Sequence, residues 1–154
     1  MVKLTPRLKN IASLVPEGSV AADIGTDHGY LSVFLVEKGI CPKVIAGEKN
    51  EKPLKKAREL VSSRGLEDRV ITRQGDGLEV IKNDDKVNTV IIAGMGGQTL
   101  VNILWKDYNK LKDIKALILQ PMTDIPLARK WLIENNYKIA REKLAREGKH
   151  FYEI

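Results

Sequence analysis

Five short segments of the sequence each follow an apolar run, and four of them carry glycines, carboxylates or both. The longest segment reads Asp23-Ile-Gly-Thr-Asp-His-Gly-Tyr30. A glycine lets the backbone approach a ligand where a Cβ would collide, and a carboxylate accepts hydrogen bonds from hydroxyl and amino groups. The combination is typical of a site for a nucleoside-like ligand. The other four segments are Glu48-Lys49, Gly75-Asp76-Gly77, Ala93-Gly94-Met95-Gly96 and Gln120-Pro121.

The apolar runs predict the strands of a mostly parallel sheet. Each run is short and is separated from the next by a helical pattern, so crossover connections place the strands parallel and the helices on both faces. Ligands bind such sheets beyond the carboxyl ends of the strands, where the five segments would meet. We therefore predict an α/β, Rossmann-like fold with a C-terminal antiparallel hairpin. The predicted strands are 20–24, 44–46, 70–73, 89–93 and 116–119, with hairpin strands 137–145 and 150–154, and the predicted helices are 6–15, 29–38, 52–64, 99–105 and 125–135.

The first segment departs from the dinucleotide-binding pattern G-x-G-x-x-G. The three glycine positions hold Gly25, Asp27 and Tyr30, so two of them fail. A carboxylate at Asp27 would also repel a pyrophosphate at the N-terminus of the following helix. S-adenosylmethionine carries ribose and adenine without phosphate, and its sulfonium cation is attracted by a nearby acid. Glu48 is then expected to bind the ribose hydroxyls and Asp76 the adenine amino group, unless Glu48 is only a surface charge and Asp76 only a helix N-cap.

Six strings are distinctive when they are taken together: Asp23 to Leu31, Ala46-Gly-Glu48, Gly75 to Leu78, Ile92 to Gly97, Leu117 to Pro121 and Phe151 to Ile154. They resemble one known family, the bacterial tRNA (adenine-22-N1)-methyltransferases of the TrmK type. The resemblance covers about residues 4–154, and it implies a class I methyltransferase domain that uses S-adenosylmethionine and acts on tRNA. It also implies a helical C-terminal domain, so we expect residues 1–154 to be a single domain of a longer polypeptide.

The loop pattern and the resemblance together predict the site. Asp27 is the candidate catalytic acid, either accepting a hydrogen bond from the target adenine's amino group or holding the cofactor's ammonium group. Tyr30 either stacks on the base or packs under its helix, and His28 orients the loop. The predicted cofactor-binding residues are Asp23, Gly25, Thr26, His28, Gly29, Glu48, Lys49, Gly75, Asp76, Gly77, Ala93, Gly94, Met95 and Gly96; Gln120 and Pro121 are the predicted substrate contacts.

Composition restricts the remaining possibilities. The chain has 154 residues, a formal net charge of +6, one cysteine and two histidines. A basic protein suits a polyanionic partner such as tRNA, whereas one Cys and two His cannot form the usual tetrahedral zinc site. No apolar run is long enough for a membrane span, and a single cysteine suits a reducing cytoplasm. Oligomeric state stays open, with a monomer favoured. The alternative functions are a non-catalytic nucleotide- or RNA-binding module and a nicotinamide-dependent oxidoreductase.

Two further residues are predicted from helix patterns. Trp105 and Trp131 fall on helix faces and are expected to anchor the core. Cys41, which precedes Pro42 in a turn, is expected to be semi-buried and unreactive.

Overall fold

A computed structural model describes residues 1–154 as seven strands, five α-helices and three short 3₁₀ segments. The sheet strands are β1 Val20–Ile24, β2 Lys43–Glu48, β3 Val70–Gln74, β4 Thr89–Met95 and β5 Ala116–Pro121, and the hairpin strands are β6 Leu144–Glu147 and β7 His150–Glu153. The helices are α1 Pro6–Leu14, α2 Tyr30–Glu37, α3 Glu51–Ser63, α4 Gly97–Lys106 and α5 Ile125–Glu134. The 3₁₀ segments are Gly77–Val80, Asn83–Asp85 and Tyr108–Asp113.

The five sheet strands are all parallel, in the order β3-β2-β1-β4-β5. The chain leaves β1 in one direction for β2 and β3, and later returns to the other side of β1 with β4 and β5. This reversal creates a crevice beyond the carboxyl ends of β1 and β4. The predicted Rossmann-like fold with a separate antiparallel hairpin is therefore confirmed.

Apolar side chains alternate between two cores on the two faces of the sheet, as the pleat of each strand requires. Ala21, Val44 and Ile91 pack with apolar residues of α1 and α2. Ala22 and Ile92 pack on the opposite face with residues of α4 and α5. Because both faces are covered, the strands are apolar throughout, which explains why short continuous runs marked them in the sequence.

The predicted hairpin strand over 137–145 is wrong in its extent, because β6 begins only at Leu144. Asn136 adopts a left-handed conformation (φ 63°) at the end of α5, and Tyr137 N–H then donates to the Leu132 carbonyl. The Tyr137 ring stacks on Trp131 with 5.7 Å between centroids. The C-terminal turn of α5 thus fixes Tyr137, and the ladder starts only where the chain meets β7.

The expectation for the two tryptophans is half wrong. Trp131 is buried with 3% of its surface exposed, but Trp105 is 52% exposed. Trp105 packs edge-on against Trp131, with 5.8 Å between ring centroids. It therefore covers the buried ring from outside, a position that helical periodicity does not separate from the core.

Cys41 is fully buried rather than half-buried. Burial raises the pKa of its thiol, and the hydrogen bond with the Ser19 hydroxyl lowers it by less.

The hairpin packs on α1 and lies against the edge strand β5. Glu147 accepts a hydrogen bond from Arg7 N–H (2.8 Å), and the Leu144 carbonyl accepts one from Asn10 Nδ2 (3.1 Å). These bonds fix the start of α1 close to the exits of β4 and β5. None of the helices combines the length and apolar character that crossing a bilayer requires.

Candidate active site

A cleft of about 500 Å³ lies at the carboxyl ends of β1 to β4. Fourteen of the predicted site residues line it: Asp23, Gly25, Thr26, Asp27, His28, Tyr30, Glu48, Lys49, Gly75, Asp76, Gly77, Ala93, Gly94 and Met95. Four do not. Gly29 packs against Ala57 of α3, Gly96 lies against Thr123, Gln120 is fully buried, and Pro121 lines a separate groove of about 310 Å³ along β5.

The loop after β1 is held by Asp23, which is buried at 4% exposure. Its Oδ2 accepts hydrogen bonds from the hydroxyls of Thr26 (2.8 Å) and Ser32 (2.7 Å). Burial raises the pKa of Asp23, against the effect of these two hydrogen bonds. One carboxylate thereby connects the strand, the loop and the first turns of α2. Ser32 was not predicted as part of this arrangement.

Glu48, at the end of β2, is buried and is not a surface charge. Its Oε2 accepts a hydrogen bond from Asp27 N–H (3.2 Å), and its Oε1 accepts one from Asn50 N–H (3.0 Å). Each carboxylate oxygen has a second lone-pair direction. Oε1 also accepts a longer bond from Asn50 Nδ2 (3.5 Å). These donors fix the carboxylate at the cleft wall, while Oε2 keeps a lone-pair direction for a ligand hydroxyl.

Asp76, at the end of β3, precedes the 3₁₀ segment Gly77–Val80 as its N-cap. Its Oδ2 lies 3.8 Å from Lys49 Nζ and 3.4 Å from Lys106 Nζ. The two lysines neutralise an acid that is half exposed at the cleft. The N-cap position and a ligand contact are compatible, because the carboxylate stays accessible.

Gly25 occupies the tightest point of the cleft wall. Its φ of +71° is left-handed, and a Cβ placed there would lie 2.4 Å from the Met95 Cε methyl group. The pairing of β4 with β5 is irregular between Ala93 and Met95. The exit loops of β1 and β4 thus touch through a glycine and a flexible thioether, and together they close the floor of the cleft.

Asp27, His28 and Tyr30 lie at the mouth of the cleft. Asp27 has φ 55°, and its Oδ2 lies 3.1 Å from His28 Nδ1. The His28 and Tyr30 rings are 6.0 Å apart. The Asp27 side chain is 68% exposed and Tyr30 is 47% exposed. A carboxylate and a phenol ring are therefore available here to a second ligand.

Sequence reasoning missed part of the cleft wall. Arg7 Nη1 donates to Gln120 Oε1 (2.8 Å), and the same oxygen accepts a bond from Gly94 N–H (3.1 Å). Arg7 belongs to α1, which precedes every strand, so no strand-end signal marks it. The other residues that line the cleft and were not predicted to bind ligand are Leu8, Ile24, Leu31, Gly47, Asn50, Pro53, Thr99, Ile103 and Met122.

A five-stranded parallel sheet of this order, with a cleft lined by glycines and acids at its carboxyl edge, defines a Rossmann-like nucleotide-binding domain. Within that class, the chain belongs to the methyltransferase-domain family, whose model matches residues 4–154. It is 39% identical over 153 residues to the tRNA (adenine(22)-N(1))-methyltransferase of Bacillus subtilis, covering 99% of this chain and 64% of that protein. The chain thus spans less than two thirds of this relative.

Two solved structures are also similar. One is a putative tRNA (m1A22) methyltransferase of Streptococcus pneumoniae in complex with S-adenosyl-L-methionine, with 36% identity, a TM-score of 0.95, and coverage of 98% of this chain and 71% of that one. The other is TrmK of M. capricolum in complex with S-adenosyl-homocysteine, with 34% identity, a TM-score of 0.89, and coverage of 97% and 66%. The resemblance inferred from the sequence strings is confirmed.

Proposed function

We propose that this chain is the catalytic domain of an S-adenosylmethionine-dependent methyltransferase that acts on N1 of an adenine in tRNA, at position 22. The observation that carries the proposal is its 39% identity with the Bacillus subtilis enzyme across nearly the whole chain. The net charge of +6 suits a polyanionic substrate. The proposed protein is cytoplasmic and monomeric. Residues 1–154 form its cofactor-binding domain, and a further helical domain helps to bind tRNA.

The cleft fits S-adenosylmethionine better than a dinucleotide. Its volume of about 500 Å³ lies within the usual range for small-molecule sites, roughly 300–1,000 Å³. The carboxylates of Asp23 and Asp27 at the exit of β1 would repel a pyrophosphate. Glu48, held by two backbone N–H groups, is oriented to accept bonds from the ribose hydroxyls, and Asp76 from the adenine amino group.

The chemistry needs little proton transfer, because adenine N1 already carries a lone pair. The bound cofactor supplies an electrophilic methyl group on a sulfonium. Adenine N1 forms the new bond to that methyl carbon, while the electrons of the carbon–sulfur bond stay on sulfur. The chain's task is then to position the base and to stabilise the positive charge that develops on adenine.

Asp27 and Tyr30 suit this task because both are exposed at the mouth of the cleft. A carboxylate at Asp27 that accepts a hydrogen bond from the exocyclic amine would favour the cationic product. The Tyr30 ring offers a stacking surface for a base taken out of its helix. In the alternative arrangement, Asp27 holds the ammonium group of the cofactor.

Replacing Asp27 with asparagine tests the proposal and separates the two roles. If Asp27 serves the target base, the affinity for S-adenosylhomocysteine stays within about threefold, while single-turnover methylation falls by about 10²-fold, the usual size for one electrostatic contact in the transition state. If it holds the cofactor, affinity falls first and saturating cofactor restores the rate. Asp68→Asn, an exposed change at the amino end of β3, is the matched control.

Affinity is measured by calorimetry, and methylation is measured on unmodified tRNA with the full-length natural polypeptide at low salt, because phosphate contacts weaken steeply as salt rises. Mass spectrometry of the nucleosides identifies the methylated position. Binding of NADH in place of S-adenosylhomocysteine by the unmodified protein, or methylation of a nucleoside other than 1-methyladenosine, would refute the proposed function.

A further inference from the structure

Arg7 is the one cation of the cleft that has no carboxylate partner. The other basic side chain of the cleft wall, Lys49, lies 3.8 Å from Asp76, and His28 lies 3.1 Å from Asp27. No carboxylate oxygen comes within 4.0 Å of the guanidinium nitrogens of Arg7. The guanidinium therefore lines the cleft without a contacting acid. Glu147 binds the Arg7 backbone N–H, and the pKa of Glu147 is lowered by a hydrogen bond from the Thr5 hydroxyl and, in part, by the more distant charge of Arg7.

The guanidinium of Arg7 is fixed in place before any ligand arrives. Nη1 donates to Gln120 Oε1 at 2.8 Å, and Cζ lies 5.9 Å from the centre of the Tyr152 ring. Arg7 N–H is bound by Glu147 of the hairpin. Nε and Nη2 make no hydrogen bond to the protein, so they remain available as donors. A preorganised arginine of this kind loses little conformational entropy when it binds an anion.

The charges of the cleft are separated along the strand order. The acids Asp23, Asp27, Glu48 and Asp76 lie at the exits of β1, β2 and β3. Arg7 instead lies at the exits of β4 and β5. Its Nη1 donates to Gln120 of β5, and a Cβ added to Gly94 of β4 would lie 3.6 Å from the same nitrogen. A ligand that is cationic or hydroxyl-rich at one end and anionic at the other matches this arrangement.

We propose that Arg7 is the anion-binding residue of this cleft, and that it receives an oxyanion through its free N–H groups. The inference rests on the proposed function, in which two ligands bring an oxyanion: the cofactor through the carboxylate of its amino-acid portion, and the RNA through a backbone phosphate. Arginine pairs with both groups by parallel hydrogen bonds.

Two thioether ligands distinguish the two possible sources of the oxyanion, the cofactor and the RNA. S-adenosylhomocysteine carries the amino-acid carboxylate, whereas 5′-methylthioadenosine has the same adenosine and sulfur without it. The variant is Arg7→Gln, which removes the charge but keeps an amide donor for Gln120. The control is Lys9→Gln, which removes a charge from an exposed position of the same helix. Calorimetry measures both ligands with each protein, and tRNA affinity is measured across a salt series.

If the anion is the carboxylate, Arg7→Gln weakens the binding of S-adenosylhomocysteine by about 10- to 100-fold, the range for a lost charged hydrogen bond. The affinity for 5′-methylthioadenosine stays unchanged. If the anion is a phosphate, both thioethers bind normally, but tRNA affinity falls at least tenfold and the slope of log affinity against log salt becomes shallower by about 1. Either result supports the proposal, and Lys9→Gln shows neither.

Equal weakening of both thioethers would overturn the proposal, since Arg7 would then only support Gln120 and Gly94. Unchanged binding of all three ligands would overturn it as well. If Arg7→Gln fails to fold, Arg7→Lys gives the same comparison with a smaller loss, because it keeps the charge without the planar fork. Failure of the proposed function is read separately, as absence of S-adenosylhomocysteine binding in the unmodified protein.

Discussion

Replacing Gly25 with alanine tests how closely the loop after β1 packs against β4. The φ of +71° forces any other residue into the left-handed region, and the new Cβ would lie 2.4 Å from Met95 Cε. Ordinary contact begins near 3.4 Å, so the methyl group must move by 3.4 − 2.4 = 1.0 Å. A thioether chain can make that shift by rotation. The displaced end of Met95 would then occupy part of the cleft that it lines.

Gly18 provides the matched control, because its φ is +78° and a Cβ there meets nothing within 4 Å. Both alanine variants carry the left-handed penalty of roughly 1–2 kcal/mol. For a chain of this size, that corresponds to a Tm lower by about 2–8 °C. Only Gly25→Ala is expected to lose cofactor affinity, by at least about tenfold if the displaced methyl takes the place of a ligand group.

Calorimetry with S-adenosylhomocysteine and thermal melts decide the question. Adding Met95→Ala to Gly25→Ala removes the obstructing group, so the double variant should bind more tightly than Gly25→Ala alone. Such a gain is a coupling between the two positions and cannot arise from independent effects. The reasoning is refuted if Gly25→Ala binds as tightly as Gly18→Ala, or if the second substitution only weakens binding further.

The remaining predictions concern two other carboxylates. Glu48→Ala removes the acceptor for Asp27 N–H and Asn50 N–H, so calorimetric affinity for S-adenosylhomocysteine should fall by about 10- to 100-fold. The control Glu51→Ala, an exposed change in the first turn of α3, should leave that affinity unchanged. Equal affinities of the two variants would remove Glu48 from the site. Asp85 is buried and accepts a hydrogen bond from Arg73 (Nη2 to Oδ1, 2.8 Å). Burial raises the pKa of its carboxyl. The pKa is nevertheless lowered overall from the ordinary 3.8 by hydrogen bonds from Arg73 and from Lys82 N–H and by the charges of Arg73 and Lys43. Its stabilisation is therefore complete above pH 3.8 and is lost as the pH falls through the lowered value, so Asp85→Asn should cost about 3 kcal/mol near neutral pH and progressively less in acid. Urea unfolding of both proteins from pH 2.5 to 6 measures this, and a pH-independent difference would contradict it.

The sheet and most of the cleft could be predicted because both depend on local patterns. A parallel strand covered on two faces must be apolar throughout, and the residue that ends such a run lies at the ligand edge by topology. Asp23, Glu48 and Gly94 each follow from these two facts. Their roles toward a ligand are still predictions, since position at the cleft does not by itself assign a contact.

Features that depend on packing between distant elements were not predictable. Arg7 reaches the cleft because Glu147 of the hairpin, 140 residues further along the chain, fixes the start of α1. The exposure of Trp105 depends on how α4 and α5 pack together. Tyr137 leaves the strand pattern because a left-handed residue at the end of α5 directs it toward Trp131. In the first two cases the deciding contact joins residues that are far apart in the sequence. In the third case the residues are close in the sequence, but a left-handed turn at Asn136 leaves no apolar period that would reveal it.

Asp27 shows how the loop keeps the shape of a nucleotide-binding turn while changing its ligand preference. The position at which the dinucleotide pattern has its second glycine is still left-handed here, with φ 55°. Aspartate is among the few residues that tolerate this region, so the backbone path survives the exchange. The backbone N–H of Asp27 is used to fix Glu48, and the side chain adds a negative charge just before α2, which would repel a phosphate at the N-terminus of that helix. The same residue thus preserves the turn, orients the acid expected to bind ribose and disfavours a pyrophosphate, which is the combination that a phosphate-free, cationic nucleoside cofactor requires.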